Sequence, residues 1–116
     1  MANVSSLSGA LNDDGPALFY RADFRNVLEY HMEFLRSRGN AYPITVEPHI
    51  AYKYEYDFTG LMLHYNIPRH LHWVIMRLNG FTSPLEYRAD VLLLLGPDPK
   101  LLDQLMNTHS TVQSIS

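Results

Sequence analysis

Apolar and polar residues follow several rhythms along this chain. Over residues 23–38, Phe24, Val27, Leu28, His31 and Leu35 recur at i, i+3, i+4, i+7 and i+11, one stripe of a helix. Asp23 is placed to cap its start. Arg36 and Arg38 suit its negative end, and Gly39-Asn40 supplies a left-handed stop. Tyr30 and Phe34 widen the apolar surface, toward either this chain's own core or another subunit.

The rhythm changes to two over residues 49–56. Ile50, Tyr52, Tyr54 and Tyr56 alternate with Ala51, Lys53 and Glu55, which predicts a half-buried strand with an aromatic face. Those tyrosines lie either under neighbouring helices or in a ligand-stacking strip. Asp57 then reads as the cap of a helix presenting Phe58, Leu61, Met62 and Tyr65. Asn66-Ile67-Pro68 ends it and opens another, with Pro68 at the first position. That second helix has Leu71, Val74, Ile75 and Leu78 as its stripe and Asn79-Gly80 as its stop. Phe81-Thr82-Ser83-Pro84 is a turn leading to a loop. Val91–Leu95 is apolar on both faces, so it predicts a strand that needs cover on each side. Gly96-Pro97-Asp98-Pro99 breaks it, and a short helix follows from Lys100 to about Met106.

The remaining stretches read as attachments. Residues 1–18 are turn-rich and predict an extended arm or disorder. Residues 40–49, with Pro43 and Pro48, read as a linker holding one brief extended pairing at Ile44-Thr45-Val46. Residues 107–116 read as a frayed tail. The division is therefore an arm over 1–18, an N-terminal helix and linker over 19–48, a domain over 49–106, and a tail over 107–116.

Composition narrows the classes. A chain of 116 residues, 47% apolar, supports one small domain. Only 18% of residues are charged, against about 25% in ordinary soluble domains, which points to surface covered by a partner. The net charge of −3 argues against nucleic-acid binding, which needs a basic face. No run of apolar residues approaches the ~20 of a membrane span, and the first residues lack the pattern of a signal peptide. The expectation is a soluble protein with neither nucleic acid nor membrane as partner.

Chemistry is scarce. Cysteine is absent, which removes thiolate nucleophiles and thiolate metal sites. His70 and His72 sit two apart, on diverging sides of a helix, and His64 lies across a proline break, so no metal set is expected. There is no Gly-x-Ser-x-Gly and no phosphate loop. The expectation is a non-enzyme without cofactor. Trp73, the one tryptophan, is either a partly buried core residue or an interface anchor.

In their order, these elements resemble a LysM domain. The carrying segments are Tyr52–Tyr56, Asp57-Phe58-Thr59-Gly60-Leu61, Met62–Tyr65, Leu71–Asn79 and Val91–Pro97. The resemblance implies an α+β fold, a βααβ module with a two-stranded antiparallel sheet and helices on one side. Here it would carry an N-terminal helix and arms ordered by partners. The string Leu71-His72-Trp73-Val74-Ile75-Met76-Arg77-Leu78-Asn79-Gly80-Phe81-Thr82-Ser83-Pro84 is similar, more narrowly, to the LysM-like baseplate wedge protein of contractile-tailed bacteriophages. Tyr56 stands where glycan-binding LysM domains usually carry glycine, and Gly60 interrupts their Thr-Leu pair.

The wedge resemblance implies a structural subunit of the virion, assembled in the host cytoplasm. It would clamp other wedge proteins and the tail-sheath initiator around the tail tube, with tube or hub proteins as further candidates. Partner contacts are then expected at Phe24, Tyr30, Phe34, Trp73, Phe81, Leu92 and Leu94. The LysM outline alone implies a peptidoglycan- or chitin-binding module instead. Its groove would lie between Asp57, Phe58 and Thr59 on one side and Gly80, Phe81 and Thr82 on the other. A small adaptor domain unrelated to phage is the third reading.

Overall fold

The computed structural model describes residues 16–115. Their architecture is α+β: six α-helices, three 3-10 turns and a two-stranded antiparallel sheet. The chain enters through a 3-10 helix, Ala17–Tyr20, whose Phe19 is buried edge-on against Phe24, 5.3 Å between ring centres. The expected arm thus ends before Ala17, and its first fifteen residues lie outside the described ones.

The N-terminal stripe forms two helices in sequence, α1 (Ala22–Tyr30) and α2 (Met32–Arg36), with a break at His31. The stripe survives because the i→i−4 hydrogen bonds continue across it: His31 N–H donates to Val27 O and Leu35 N–H to His31 O. Phe24, Leu28 and Leu35 are fully buried, and Met32 joins them. Asp23 is not the cap. It lies within the first turn, paired with Arg21 at 2.8 Å and with His109 at 3.1 Å. There it suits the positive end of the helix electrostatically.

The strand expected over 49–56 does not form. Pro48 opens a helix, α3 (Pro48–Lys53), after extended Glu47. Ile50 and Tyr54 share a side because they are i, i+4 neighbours, and a stretch this short satisfies both periods. The first strand is instead β1 (Ala41–Thr45), within the presumed linker. It pairs with β2 (Leu93–Pro97), two residues later than expected, so Gly96 and Pro97 extend the strand that they were expected to break. Register explains the prolines. Val46 N–H donates to Leu92 O and Asp98 N–H to Asn40 O, which places the hydrogen-bonded pairs at the even-numbered positions. Pro43 and Pro97 both fall at odd positions, where an N–H would point away from the partner strand.

Between the strands run α4 (Phe58–His64), a 3-10 turn (Arg69–Leu71) and α5 (His72–Leu78). Asp57 caps α4 as its position implies, its Oδ1 accepting from Gly60 N–H at 2.9 Å. Gly80, at φ +83°, ends α5. Asn79 goes further. Its amide accepts from Leu95 N–H (2.8 Å) and donates to Leu95 O (3.0 Å), closing the outer edge of β2. Arg36 donates to Leu78 O and Arg77 O at the end of the same helix.

Asp98 then caps α6 (Pro99–Ile115), which is far longer than the short helix and frayed tail expected. His109 holds α6 on α1 through Asp23 and the Phe24 ring. One continuous core runs from Phe19 through Leu94 to Leu102. The N-terminal helices belong to it, so 19–48 and 49–106 are not separate in packing. α2 and α5 both contact β2 and cover Leu94, while Leu93 on the opposite face is 60% exposed.

Candidate interaction surface

The expected partner residues separate by burial. Phe24 and Leu94 are fully buried core residues and have no surface to offer. Each lies on the inward stripe of its element: Phe24 is four residues before Leu28, and Leu94 is paired with half-buried Ile44 under the helices. Tyr30 is 88% and Phe34 50% exposed, both on the outer side of the N-terminal helices. Leu92 is marginally exposed, and Trp73 and Phe81 are half-buried.

The two stretches expected to flank a glycan groove do meet. Phe58, at the start of α4, packs on Phe81 after α5 (5.8 Å between ring centres) and on buried Tyr87. Their polar atoms are occupied by the fold. Asp57 caps α4, and the Thr82 hydroxyl and N–H both donate to Glu86. Those two bonds, with Arg77 nearby, hold the Glu86 carboxyl below its usual range. Gly80 bends the chain without facing a neighbour, and Thr59 remains exposed.

Thr59 stands at the rim of an open cleft of about 370 Å³. Tyr20 and Arg25 supply its N-terminal wall, Phe58 and Pro84 the opposite one, and Trp73 and Met76 project from α5. Arg69, from the turn ahead of α5, and His72, the first residue of α5, complete it. Arg25 is fixed in place: its Nε donates to Phe19 O at 2.9 Å. Its guanidinium carbon lies 4.9 Å from the Trp73 ring centre and 5.7 Å from that of Tyr20. Cation–aromatic stacking of this kind contributes about 0.5–1 kcal/mol at exposed sites.

His72 sits where its charged form is disfavoured. Burial lowers its pKa, partly opposed by the 2.8 Å bond to Ile67 O and reinforced by Arg69 and His70. A carbonyl only accepts, so Nε2 carries the proton and Nδ1 is left as an acceptor. His70 turns elsewhere, its ring 4.9 Å from that of Phe19. Among the described residues no group of three His, Cys, Asp or Glu side chains is placed to hold a metal ion.

Sequence reasoning found Trp73 and Phe58 but not Tyr20, Arg25 or Arg69. Tyr20 and Arg25 reach the cleft from a segment about fifty residues upstream of Trp73. Only the basic run Arg69-His70, directly after Pro68, marked the region in sequence. A second cross-tie stabilises this side of the fold. Arg77 on α5 pairs with Glu29 on α1 and donates to Phe81 O at 2.9 Å. The Glu29 partnership raises the arginine's pKa further.

Among the described residues no helix is long and apolar enough to cross a membrane. Comparison with protein-family models, curated proteins and solved structures returned no match.

Proposed function

We propose that this chain is a non-enzymatic structural subunit that works by docking onto other proteins, as a wedge component of a contractile phage-tail baseplate in the virion. The observation that carries the docking reading is the set of large apolar side chains left outside a core that is complete without them. Tyr30, Phe34, Tyr52 (78% exposed), Leu85 and Leu93 are among them. Covering such side chains gains about 25 cal/mol per Å² of apolar surface. The expected partners are the sheath initiator and neighbouring wedge proteins, with tube or hub proteins beyond them.

Two features support a LysM-like module over residues 41–97. The order is strand, helices, strand, with antiparallel pairing. Tyr56, where glycan-binding LysM domains carry glycine, has φ +66°, the backbone conformation that glycine adopts readily. The first strand falls upstream of the Tyr52–Tyr56 segment, and α3 is an additional helix. The test is co-expression with wedge, sheath-initiator and tube proteins of contractile-tailed phages, followed by size-exclusion chromatography. Co-elution with at least one supports the reading; elution apart from all of them refutes it.

The cleft favours a second reading, glycan binding. Phe58 and Thr59 of the expected groove line it, and Tyr20 and Trp73 offer rings for stacking sugars. Retention on insoluble peptidoglycan or chitin at micromolar protein, lost in Trp73→Ala, would move the conclusion there.

A further inference from the structure

We propose that the Arg25–Trp73–Arg69 cleft is the docking pocket for an acidic partner segment, a peptide with carboxylates flanking one apolar or aromatic side chain. The proposal rests on the docking reading and names the chemistry of its partner. Charge complementarity carries it. Two guanidinium groups and no carboxylate line the cleft, in a chain whose net charge is −3. Three of the other arginines are paired with carboxylates: Arg21 with Asp23, Arg77 with Glu29, and Arg88 with Glu55, while Arg36 is taken up by backbone carbonyls. Among the described residues neither Arg25 nor Arg69 forms a salt bridge.

Arg25 is also pre-positioned. Its Nε is spent on Phe19 O and its guanidinium lies near Trp73, so less side-chain freedom is lost when a carboxylate meets the terminal nitrogens. The planar fork suits a carboxylate in two-point contact. Between the two cations the lining is apolar and aromatic, with Phe58, Trp73 and Met76. That combination selects a side chain to bury and acids to pair. A nucleic acid would require a run of cations along a backbone path, and here two converge on a single pocket.

Trp73 is the chain's sole tryptophan, so its emission reports the cleft in the full-length protein. The probe is the peptide Glu-Asp-Phe-Glu-Asp, compared with Gln-Asn-Phe-Gln-Asn and with a short single-stranded oligonucleotide. We expect a saturable change in Trp73 emission with the acidic peptide, weaker at high salt and absent with the amide peptide. Arg69→Gln should weaken it about tenfold, the loss of one charge-assisted contact. Arg69 is exposed, so that variant keeps the fold if Arg25→Gln does not. Equal response to both peptides, tighter binding of the oligonucleotide, or unchanged affinity in Arg69→Gln overturns the proposal. Co-elution with a tail protein that persists undiminished in Arg69→Gln and Arg25→Gln also overturns it, while leaving the docking reading in place. Loss of that co-elution in the same variants supports it.

Discussion

Asn79 separates two accounts of how α5 meets the sheet. If it is only a helix stop, its replacement is nearly neutral, because alanine is the better helix former by a few tenths of a kcal/mol. The structure assigns it a second role as a clasp on β2. Its amide holds Leu95 N–H and O and also donates to Ile75 O at 2.7 Å. Three side-chain bonds are lost in Asn79→Ala, but Ile75 O keeps the Asn79 backbone N–H as a donor, so the cost falls on the two bonds to the half-buried Leu95. At about 1 kcal/mol each, less the gain in helix propensity, the loss should be about 1.5–2 kcal/mol. That is a large share of the ~5–15 kcal/mol typical of a domain.

The assay is urea unfolding with a common slope, together with amide exchange at Leu95. Asn79→Asp sharpens the test, because it retains the acceptor for Leu95 N–H but turns a carboxylate oxygen toward Leu95 O and Ile75 O. Its carboxyl pKa should rise in the folded state. The variant therefore recovers relative to the parent as pH falls toward about 4, where a protonated oxygen can donate. A change below about 0.5 kcal/mol in Asn79→Ala, or unaltered exchange at Leu95, would refute the clasp.

Three other expectations are simpler. The Tyr87 hydroxyl donates to Val91 O at 2.8 Å, and burial, then the nearby Tyr65, Asp90 and Glu55, push its pKa up to about 12. A phenol that titrates higher folded than unfolded leaves stability whole below about pH 10 and drains it between 10 and 12. Tyr87→Phe should cost about 1 kcal/mol at pH 7 yet show a shallower alkaline decline, measured by urea unfolding across pH; an unchanged slope refutes the assignment. Tyr56→Gly should raise the unfolding free energy in urea by up to about 1 kcal/mol, since it relieves a left-handed backbone at a half-exposed side chain; a fall would show that Arg88, 5.5 Å from the ring centre, matters more. Leu35→Ala should cost about 3 kcal/mol and neighbouring Phe34→Ala under about 0.5, compared by thermal melting; a costly Phe34→Ala would place that ring in the core.

Local signals in the sequence carried the N-terminal stripe and the two central helices, but not α3 or the length of α6. The stripes Phe24–Leu28–Leu35 and Val74–Ile75–Leu78, the Asp57 cap and the Gly80 stop each depend on neighbours within one or two turns. The sheet was less legible for a physical reason. A two-stranded pairing between residues 41–45 and 93–97 is set by long-range register, and Gly96 and Pro97 looked like a strand break because the tolerance of a proline depends on which way its missing N–H would point. The tyrosine alternation after Ile50 had no such check, and the helix start at Pro48 prevailed. The cleft was legible only in part. Trp73 and Phe58 stood out by type, whereas Arg25 gains its meaning from stacking on a ring 48 positions away.

The sheet also limits how a partner can attach. Two strands alone are marginal in water, and this pair depends on α2 and α5 over one face. An added strand would need a free edge. Asn79 occupies the β2 edge at Leu95. On the outer edge of β1 the outward-facing positions are 41, 43 and 45, and the middle one is proline, which has no N–H to give. Strand addition is therefore blocked on one side and interrupted on the other. On the docking reading proposed above, a partner would attach through side chains, which is where the molecule leaves its apolar surface: Tyr30 and Phe34 on the N-terminal helices, Leu93 on the uncovered sheet face, and the cationic cleft beside Trp73. Binding through side chains needs no backbone rearrangement.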